Sequence, residues 1–180
     1  MVQNPGPKRG RPKLLDREQI LQTALSEYWA KGPTNVSIGD ICKQTGASKP
    51  SVYREFGSDD GLKSSVFESY RSLVIQPLID IVVKDQPAAE TIDAMIGFMT
   101  QDRAALGIPD GCLFVMMRAQ SEHLGPLTCD KLHKARRELL AAYSAWIERA
   151  KLHGDFINIP TEMSVLLFDL HHCRSMCIRR

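Results

Sequence analysis

One short stretch of the chain carries side chains that could bind a nucleic acid. It offers hydrogen-bond donors, positive charge and an aromatic ring, on Lys49, Ser51, Tyr53 and Arg54. If the stretch is helical, Val52 and Phe56 lie one turn apart and point inward, which leaves the four polar side chains on the open face. Lysine, arginine and serine donate hydrogen bonds to phosphates and to base edges in the major groove. We therefore expect this open face to contact DNA.

Two short helices joined by a tight turn must position these side chains. Ser37 is predicted to cap the first helix, with Asp40 three residues later as in a capping box. Gly46 is predicted to end that helix, because only glycine takes the left-handed conformation without a steric penalty. Ser48 then caps the second helix, and Pro50 falls in its first turn, where a missing N–H costs little. The pattern is that of a helix-turn-helix.

A third helix is predicted ahead of this pair, from Asp16 to about Lys31, and Gly32-Pro33 stops it. Its apolar side chains form one broad stripe, made by Ile20, Leu21, Ala24, Leu25, Tyr28 and Trp29. We expect this stripe to pack across the helix-turn-helix and to close a small three-helix core.

The remaining sequence is predicted to form helices that are separated by breaks and loops. A helix should start near Ser58 and kink or end at Pro77, with an apolar face of Leu62, Val66, Phe67, Tyr70, Leu73 and Val74. Further helices are expected at about 88–105, 112–122, 127–153 and 160–180. No stretch alternates with period two, so we predict an all-α protein. It would have a flexible basic arm (1–15), a three-helix helix-turn-helix DNA-binding domain (16–57) and a helical ligand-binding and dimerisation domain (58–180).

Positive charge gathers at the N-terminal end, although the whole chain has a net charge of only +2. The first 13 residues hold no acid and four basic side chains, Lys8, Arg9, Arg11 and Lys13. The core of this arm, KRGRPK, resembles an AT-hook, whose extended backbone lies in the narrow minor groove of A·T-rich DNA. A tail of this kind standing alone is usually solvated. Beside a helix-turn-helix, we favour a minor-groove arm.

Several other classes of protein are disfavoured. We find no phosphate loop, nucleophile elbow, HExxH motif or dinucleotide fingerprint, so we expect no enzyme, no catalytic residue and no cofactor. The start of the chain has no secretion signal, and no apolar run reaches the ~20 residues of a membrane helix. The five cysteines are then free thiols in a reducing cytoplasm. Cys173 and Cys177, beside His171 and His172, could hold a metal or form a thiol switch. Without a second cysteine pair we favour solvated or interfacial residues and predict no metal site.

Residues 17–62 resemble the N-terminal domain of the TetR family of bacterial transcriptional repressors. The matching positions are Arg17, Ile20, Leu21, Ala24, Leu25, Trp29, Gly32, Val36, Ser37, Ile38, Ile41, Thr45, Gly46, Ala47, Ser48, Val52, Tyr53, Phe56 and Leu62. The resemblance implies that Ser37 and Tyr53 contact phosphates, and that Lys49 and Ser51 lie nearest the bases, with Arg54 near bases or backbone. The full set of expected DNA-binding residues is Lys8, Arg9, Arg11, Lys13, Ser37, Ser48, Lys49, Pro50, Ser51, Tyr53, Arg54 and Lys63.

The sequence departs from the family at two places. Asp59 stands where family members usually carry a phosphate-binding lysine, and Asp60 follows it. We expect these two acids to repel DNA, and Lys63 and the basic arm to compensate. The family normally dimerises through its last two helices, whereas only one helix is predicted after Gly154, so the dimer would use the long preceding helix or a smaller bundle.

The resemblance also implies partners. We expect a homodimer on a pseudo-palindromic double-stranded operator, and an unidentified small-molecule effector that shifts the helix beginning near Ser58 and releases the DNA. Candidate effector-binding residues are Met95, Phe98, Met99, Phe114, Met117, Tyr143 and Trp146, and the alternative for each is ordinary core. Two other functions remain open. One is a thiol- or metal-sensing regulator of the same fold that uses Cys173 and Cys177, and the other is a helical enzyme or adaptor with an incidental helix-turn-helix.

Overall fold

The computed structural model describes residues 17–102, 105, 107–157, 160–163 and 165. These residues form helices and loops with no strand among them, which confirms the all-α prediction. The helices are α1 (Arg17–Lys31), α2 (Ile38–Thr45), α3 (Lys49–Phe56), α4 (Asp59–Tyr70), α5 (Gln76–Val82), α6 (Ala88–Met99), α7 (Leu113–Ala119) and α8 (Pro126–Leu152). A π-helical turn, Arg71–Ile75, joins α4 to α5, and a 3-10 turn, Ser121–His123, precedes α8.

Helices α1, α2 and α3 form the head of the molecule. All six residues of the predicted α1 stripe are buried. They pack with the apolar faces of α2 and α3, where Ile38, Ile41, Val52 and Phe56 are buried as well. The three-helix core predicted from periodicity is therefore present, and it holds α2 and α3 in a fixed relationship.

Helix α4 connects the head to the rest of the molecule, which we call the body. It packs on α1 and α3 at one end and on α7 and α8 along its length. The edge of the Trp29 ring meets Tyr70 of α4 with ring centroids 4.8 Å apart, and Phe67 of α4 lies 5.7 Å from Phe114 of α7. Buried side chains of this size contribute about 1.5–3 kcal/mol each. Head and body thus share one continuous apolar core.

The passage from α4 to α5 differs from a simple kink at Pro77. The chain remains helical through Pro77, which lies in the first turn of α5, and the wider π-helical turn comes immediately before it. Proline has no N–H to donate to the carbonyl four residues earlier, and a π-helical turn is one way to absorb that loss. The wider turn also rotates later residues about the axis. Leu73, expected on the buried face, is 55% exposed, while Val74 and Ile75 are buried.

Two helices are shorter than their patterns predict. Helix α6 ends at Met99 rather than near residue 105, because Thr100 already has non-helical dihedral angles. Helix α7 ends at Ala119, and the chain turns through the 3-10 segment into an extended Leu124 and an extended Gly125, which directly precedes Pro126. The extended conformation before a proline is the sterically favoured one. A new helix, α8, therefore starts at Pro126.

The end of α8 fixes the corner between α5 and α6. The Arg149 guanidinium donates to the carbonyl of Val82 at 2.8 Å, and the Asp155 carboxylate accepts the N–H of Ala88 at 3.0 Å. The C-terminal end of α5 is thus capped by a cation, and the N-terminal end of α6 is capped by an anion. Of the last predicted helix, 161–163 are helical and the residues from 166 onward lie outside the described part. Within the described residues, no helix is long and apolar enough to cross a bilayer.

Candidate nucleic-acid interface

Helix α2 starts and ends at the predicted residues. Ser37 Oγ accepts the N–H of Asp40 at 3.2 Å, and the Asp40 carboxylate accepts the N–H of Ser37 at 3.1 Å and its hydroxyl at 2.7 Å. These bonds from Ser37 hold the pKa of Asp40 below its ordinary value. Gly46 has a φ of 71° and donates its N–H to the backbone carbonyl of Cys42. The capping box and the left-handed turn glycine are therefore confirmed.

Helix α3 presents the face that its sequence predicts. Ser48 Oγ accepts the N–H of Ser51 at 3.3 Å and is hydrogen-bonded to the Ser51 hydroxyl at 2.8 Å, so the first turn is capped. Pro50 lies in that first turn. Val52 and Phe56 are buried, whereas Lys49, Tyr53 and Arg54 are exposed and Ser51 is half-buried. The capped helix therefore holds two cations and a phenol toward the surface.

Lys49 lies across the start of α2. Its Cε would be 3.3 Å from a Cβ built at Gly39, so the glycine leaves room for the lysine stem. Burial raises the pKa of the Cys42 thiol, and the positive charge of Lys49 partly offsets that rise. An open cleft of about 400 Å³ runs from Lys49 and Tyr53 to the start of α4, where Asp59 and Lys63 line it. The cleft therefore connects the N-terminal ends of α2, α3 and α4 on one surface.

The two acids at the start of α4 have different environments. Asp59 Oδ2 lies 2.6 Å from the Lys63 ammonium, and Lys63 is buried. Asp60 turns away from α3: its carboxylate accepts the N–H of Leu127 at 2.9 Å, the N–H of Thr128 at 3.2 Å and the Thr128 hydroxyl at 2.6 Å. The Asp60 carboxylate is thus bound to the start of α8, a contact not predicted from the sequence, and the expected repulsion of DNA by the two acids stays a prediction. The partners of Asp60 lie 67 and 68 residues away, beyond the reach of local sequence patterns.

The effector-binding candidates lie in the shared core. Phe114, Met117, Tyr143 and Trp146 are almost completely buried, Met95 is buried, and Phe98 and Met99 are half-buried beside them. Phe114 packs on Phe67, and Trp146 meets the ring of Phe156 with centroids 5.3 Å apart. An effector role for these side chains stays a prediction.

Some predicted residues lie outside the part that the structure describes. They are the arm residues Lys8, Arg9, Arg11 and Lys13, and the C-terminal residues His171, His172, Cys173 and Cys177. Within the described residues, no group of three or more His, Cys, Asp or Glu side chains could hold a metal ion.

Comparison with known proteins agrees with this arrangement of helices. Residues 20–65 match the family model described as bacterial regulatory proteins, tetR family. The HTH-type transcriptional repressor ComR of Escherichia coli (strain K12) is 39% identical over 62 residues, which are 34% of this chain and 30% of ComR. The HTH-type transcriptional repressor BdcR of the same organism is 31% identical over 104 residues, 58% of this chain and 53% of BdcR. The matches thus span less than two thirds of either relative.

The likeness of fold extends over nearly the whole chain. A cysteine mutant of the TetR family transcriptional regulator CifR, solved in complex with 26-bp double-strand operator DNA, superposes with a TM-score of 0.77 at 21% identity. That alignment covers 94% of this chain and 88% of the other. Residues 20–65 thus match the N-terminal part of the TetR family of bacterial regulatory proteins, and the fold of the chain is similar to that of a solved TetR family regulator.

Proposed function

We propose that this chain is a DNA-binding transcriptional repressor, which binds a pseudo-palindromic operator as a homodimer in the cytoplasm. The observation that carries the proposal is the open face of α3, where Lys49, Tyr53 and Arg54 are exposed opposite the buried Val52 and Phe56. Neither Lys49 nor Arg54 forms an ion pair within the described residues, so their charges are available to a polyanion. The two relatives are named transcriptional repressors, which supports the same class of function.

The geometry suggests a division of roles on the head. Lys49 and Ser51, in the first turn of α3, would contact base edges in the major groove, with Arg54 at bases or backbone. Tyr53, which is 45% exposed, would donate its hydroxyl to a phosphate. The Ser37 hydroxyl already donates its hydrogen to Asp40. A phosphate would therefore bind to backbone N–H groups at the start of α2, or the hydroxyl would break its bond to Asp40 and donate to the phosphate instead. Ser48 and Pro50 would fix the entry of α3 into the groove.

Release of DNA would depend on an effector in the body. Helix α4 contacts the head at one end and the candidate effector residues along its length, through the contact of Phe67 with Phe114. A ligand that binds one arrangement of α4 better than another would shift the population between DNA-binding and released states. Two heads on one dimer would read half-sites about one helical turn, ~34 Å, apart.

A binding titration tests the proposal. Operator fragments would be selected from genomic DNA with the full chain, and fluorescence anisotropy would compare each with a shuffled duplex of equal length. We expect the selected operator to bind at least about a thousandfold more tightly than the shuffled duplex. Sedimentation with and without DNA would report two chains per operator.

A matched pair of variants separates specific contact from bulk charge. Arg54→Ala removes an exposed cation from α3, and Lys84→Ala removes an exposed cation beyond α5. Arg54→Ala should weaken operator binding, and Lys84→Ala should leave it unchanged within about twofold, because Lys84 follows α5 in the body and is not on the proposed DNA-contacting face of α3. If no selected duplex binds more tightly than its shuffled control, the proposed function is wrong.

A further inference from the structure

The polar contacts that the head and the first turn of α4 make with the body converge on one segment, residues 111–128. Trp29 Nε1 donates to the carbonyl of Gly111 at 3.2 Å, and Thr34 Oγ1 donates to the Gln120 side chain at 2.9 Å. The strongest of these contacts is made by Asp60, which accepts from both Leu127 and Thr128 at the start of α8. Helix starts carry unpaired N–H groups and partial positive charge, so a carboxylate there forms charge-assisted bonds.

Two glycines make this connection tight. A Cβ built at Gly125 would overlap the Asp60 carboxylate and lie 2.7 Å from Asp60 Cβ. Gly125 has a φ of −80° and a ψ of 170°, which any residue adopts, so its missing side chain is required for space alone. On the other side of the connection, a Cβ at Gly61 would overlap the carbonyl oxygen of Phe56, the last residue of α3. The end of α3 therefore lies directly against the first turn of α4.

These contacts form a short path from the recognition helix to the body. The path runs from Phe56 at the end of α3, across Gly61 in α4, through the Asp60 carboxylate to Thr128 in α8. We infer that Asp60 is a positioning residue for operator recognition: it fixes the angle of the head on the body and thereby the separation of the two α3 helices in the dimer. The inference rests on the proposed function, since it concerns how that function reads half-site spacing.

The inference predicts an effect opposite in sign to simple electrostatics. If Asp60 merely repelled DNA, Asp60→Ala would strengthen binding. If Asp60 positions the head, the variant lets the head sample other angles, and affinity falls in proportion to the fraction of molecules in the competent arrangement. We expect Asp60→Ala to weaken operator binding about tenfold, which corresponds to one molecule in ten remaining competent.

The dependence of affinity on half-site spacing distinguishes a positioning role from a loss of stability, because a loss of stability would weaken binding at every spacing alike. The affinity of each full-length variant would be measured on the selected operator and on duplexes with one base pair inserted or deleted at the centre. Asp60→Ala should reduce the preference for the native spacing, because a mobile head tolerates a displaced half-site. Gly125→Ala should also reduce the preference for the native spacing, because the added methyl group displaces the Asp60 carboxylate. The spacing preference of Asp60→Asn should lie between those of wild type and Asp60→Ala, because its amide oxygen still accepts a hydrogen bond.

Two control variants match the changes in chemistry. Asp85→Ala removes an exposed acid from the α5–α6 loop, and Gly97→Ala adds a methyl group to α6 that would meet no atom within 4 Å beyond its chain neighbours and the backbone of its own helix. Both should keep the wild-type spacing preference. If wild type binds the operator but Asp60→Ala and Gly125→Ala keep or increase the preference for the native spacing, the inference about Asp60 is wrong and the proposed function still holds. If wild type binds no operator, the proposed function fails instead, and the two results are distinct.

Discussion

The ammonium group of Lys63 lies 2.6 Å from the carboxylate of Asp59, one helical turn away at the edge of the cleft beside α3. The Lys63 side chain is 10% exposed and that of Asp59 is 47% exposed. The acid is therefore the outer partner, and a phosphate that enters the cleft would meet the carboxylate before the ammonium. If DNA binds at this cleft as proposed, the pair would hold the Lys63 cation near the phosphates while Asp59 neutralises its charge.

Removing the outer partner should make that cation available. Asp59→Asn abolishes the negative charge and keeps the size of the side chain, so we expect tighter operator binding. We also expect the plot of log affinity against log salt to steepen by about 0.9, the value for one added phosphate contact. Asp85→Asn, an exposed acid far along the chain, serves as the charge control. An unchanged salt slope in Asp59→Asn would show that Lys63 does not reach phosphate.

The exposed side chains of α3 should divide into two classes by their effect on specificity. Lys49→Ala should relax base preference at its position by about 1–3 kcal/mol, the usual range for a base contact. Tyr53→Phe should weaken binding to all duplexes alike, since a lost phosphate bond carries no sequence information. Both variants would be titrated against a set of operators with single base changes. The reverse pattern would mean that the helix face has been assigned wrongly.

The hydroxyl of Tyr28 should destabilise the head. It is buried and has no hydrogen-bond partner among the described residues, and burial also raises the pKa of Tyr28. A buried hydroxyl without a partner costs about 1–3 kcal/mol, so Tyr28→Phe should increase the free energy of unfolding by about 1 kcal/mol and the Tm by roughly 2–4 °C.

Tyr70→Phe is the matched control for this change. The Tyr70 hydroxyl is hydrogen-bonded to Cys112 Sγ at 3.1 Å. Tyr70→Phe therefore removes a hydrogen bond and should lower the Tm. Thermal unfolding followed by circular dichroism measures both. A fall in Tm for Tyr28→Phe comparable to that for Tyr70→Phe would show that the Tyr28 hydroxyl is satisfied in solution.

The capping box of α2 should make the stability of the head depend on pH. Bonds from Ser37 lower the pKa of Asp40 in the folded chain, so the ionised carboxylate stabilises the fold above the ordinary aspartate pKa of about 4. This contribution is lost as pH falls through the lowered folded pKa. Asp40→Asn should therefore lower the Tm at pH 7, and the deficit should shrink as pH falls below about 4. A deficit that stays constant with pH would exclude a role for the charge.

Local sequence patterns predicted most of the head. Ser37, Gly46 and Ser48 were identifiable because caps and turn glycines act over three to five residues, and the α1 stripe was identifiable because helical periodicity is local. The same reasoning placed Lys49 and Tyr53 on the open face of α3. The role of Asp60 was not accessible, because Thr128 comes beside it only after α4 and α8 have packed together.

The connection between head and body was predicted less well for a related reason. Pro77 indicates a disturbed helix, but a π-helical turn and a kink can both accommodate the missing N–H, so the proline alone does not distinguish them. The Arg71 guanidinium at the start of that turn binds Glu138 of α8 at 2.7 Å. Leu73 lies within the π-helical turn and is exposed, whereas the periodicity of an uninterrupted helix predicts a buried position.

The basic arm gives the last prediction, and its four cations lie outside the described residues. Deleting residues 1–13 removes Lys8, Arg9, Arg11 and Lys13, so operator binding should weaken and its salt dependence should flatten by about 0.9 log units for each lost phosphate contact. The loss should be larger on an operator flanked by A·T pairs than on one flanked by G·C pairs, because the narrow A·T minor groove has the more negative potential. Anisotropy titrations at several salt concentrations measure both effects, with Lys84→Ala as the control for loss of a distant cation. An unchanged slope with either flank would show that the arm does not touch DNA, and the affinity would then reside in the head alone.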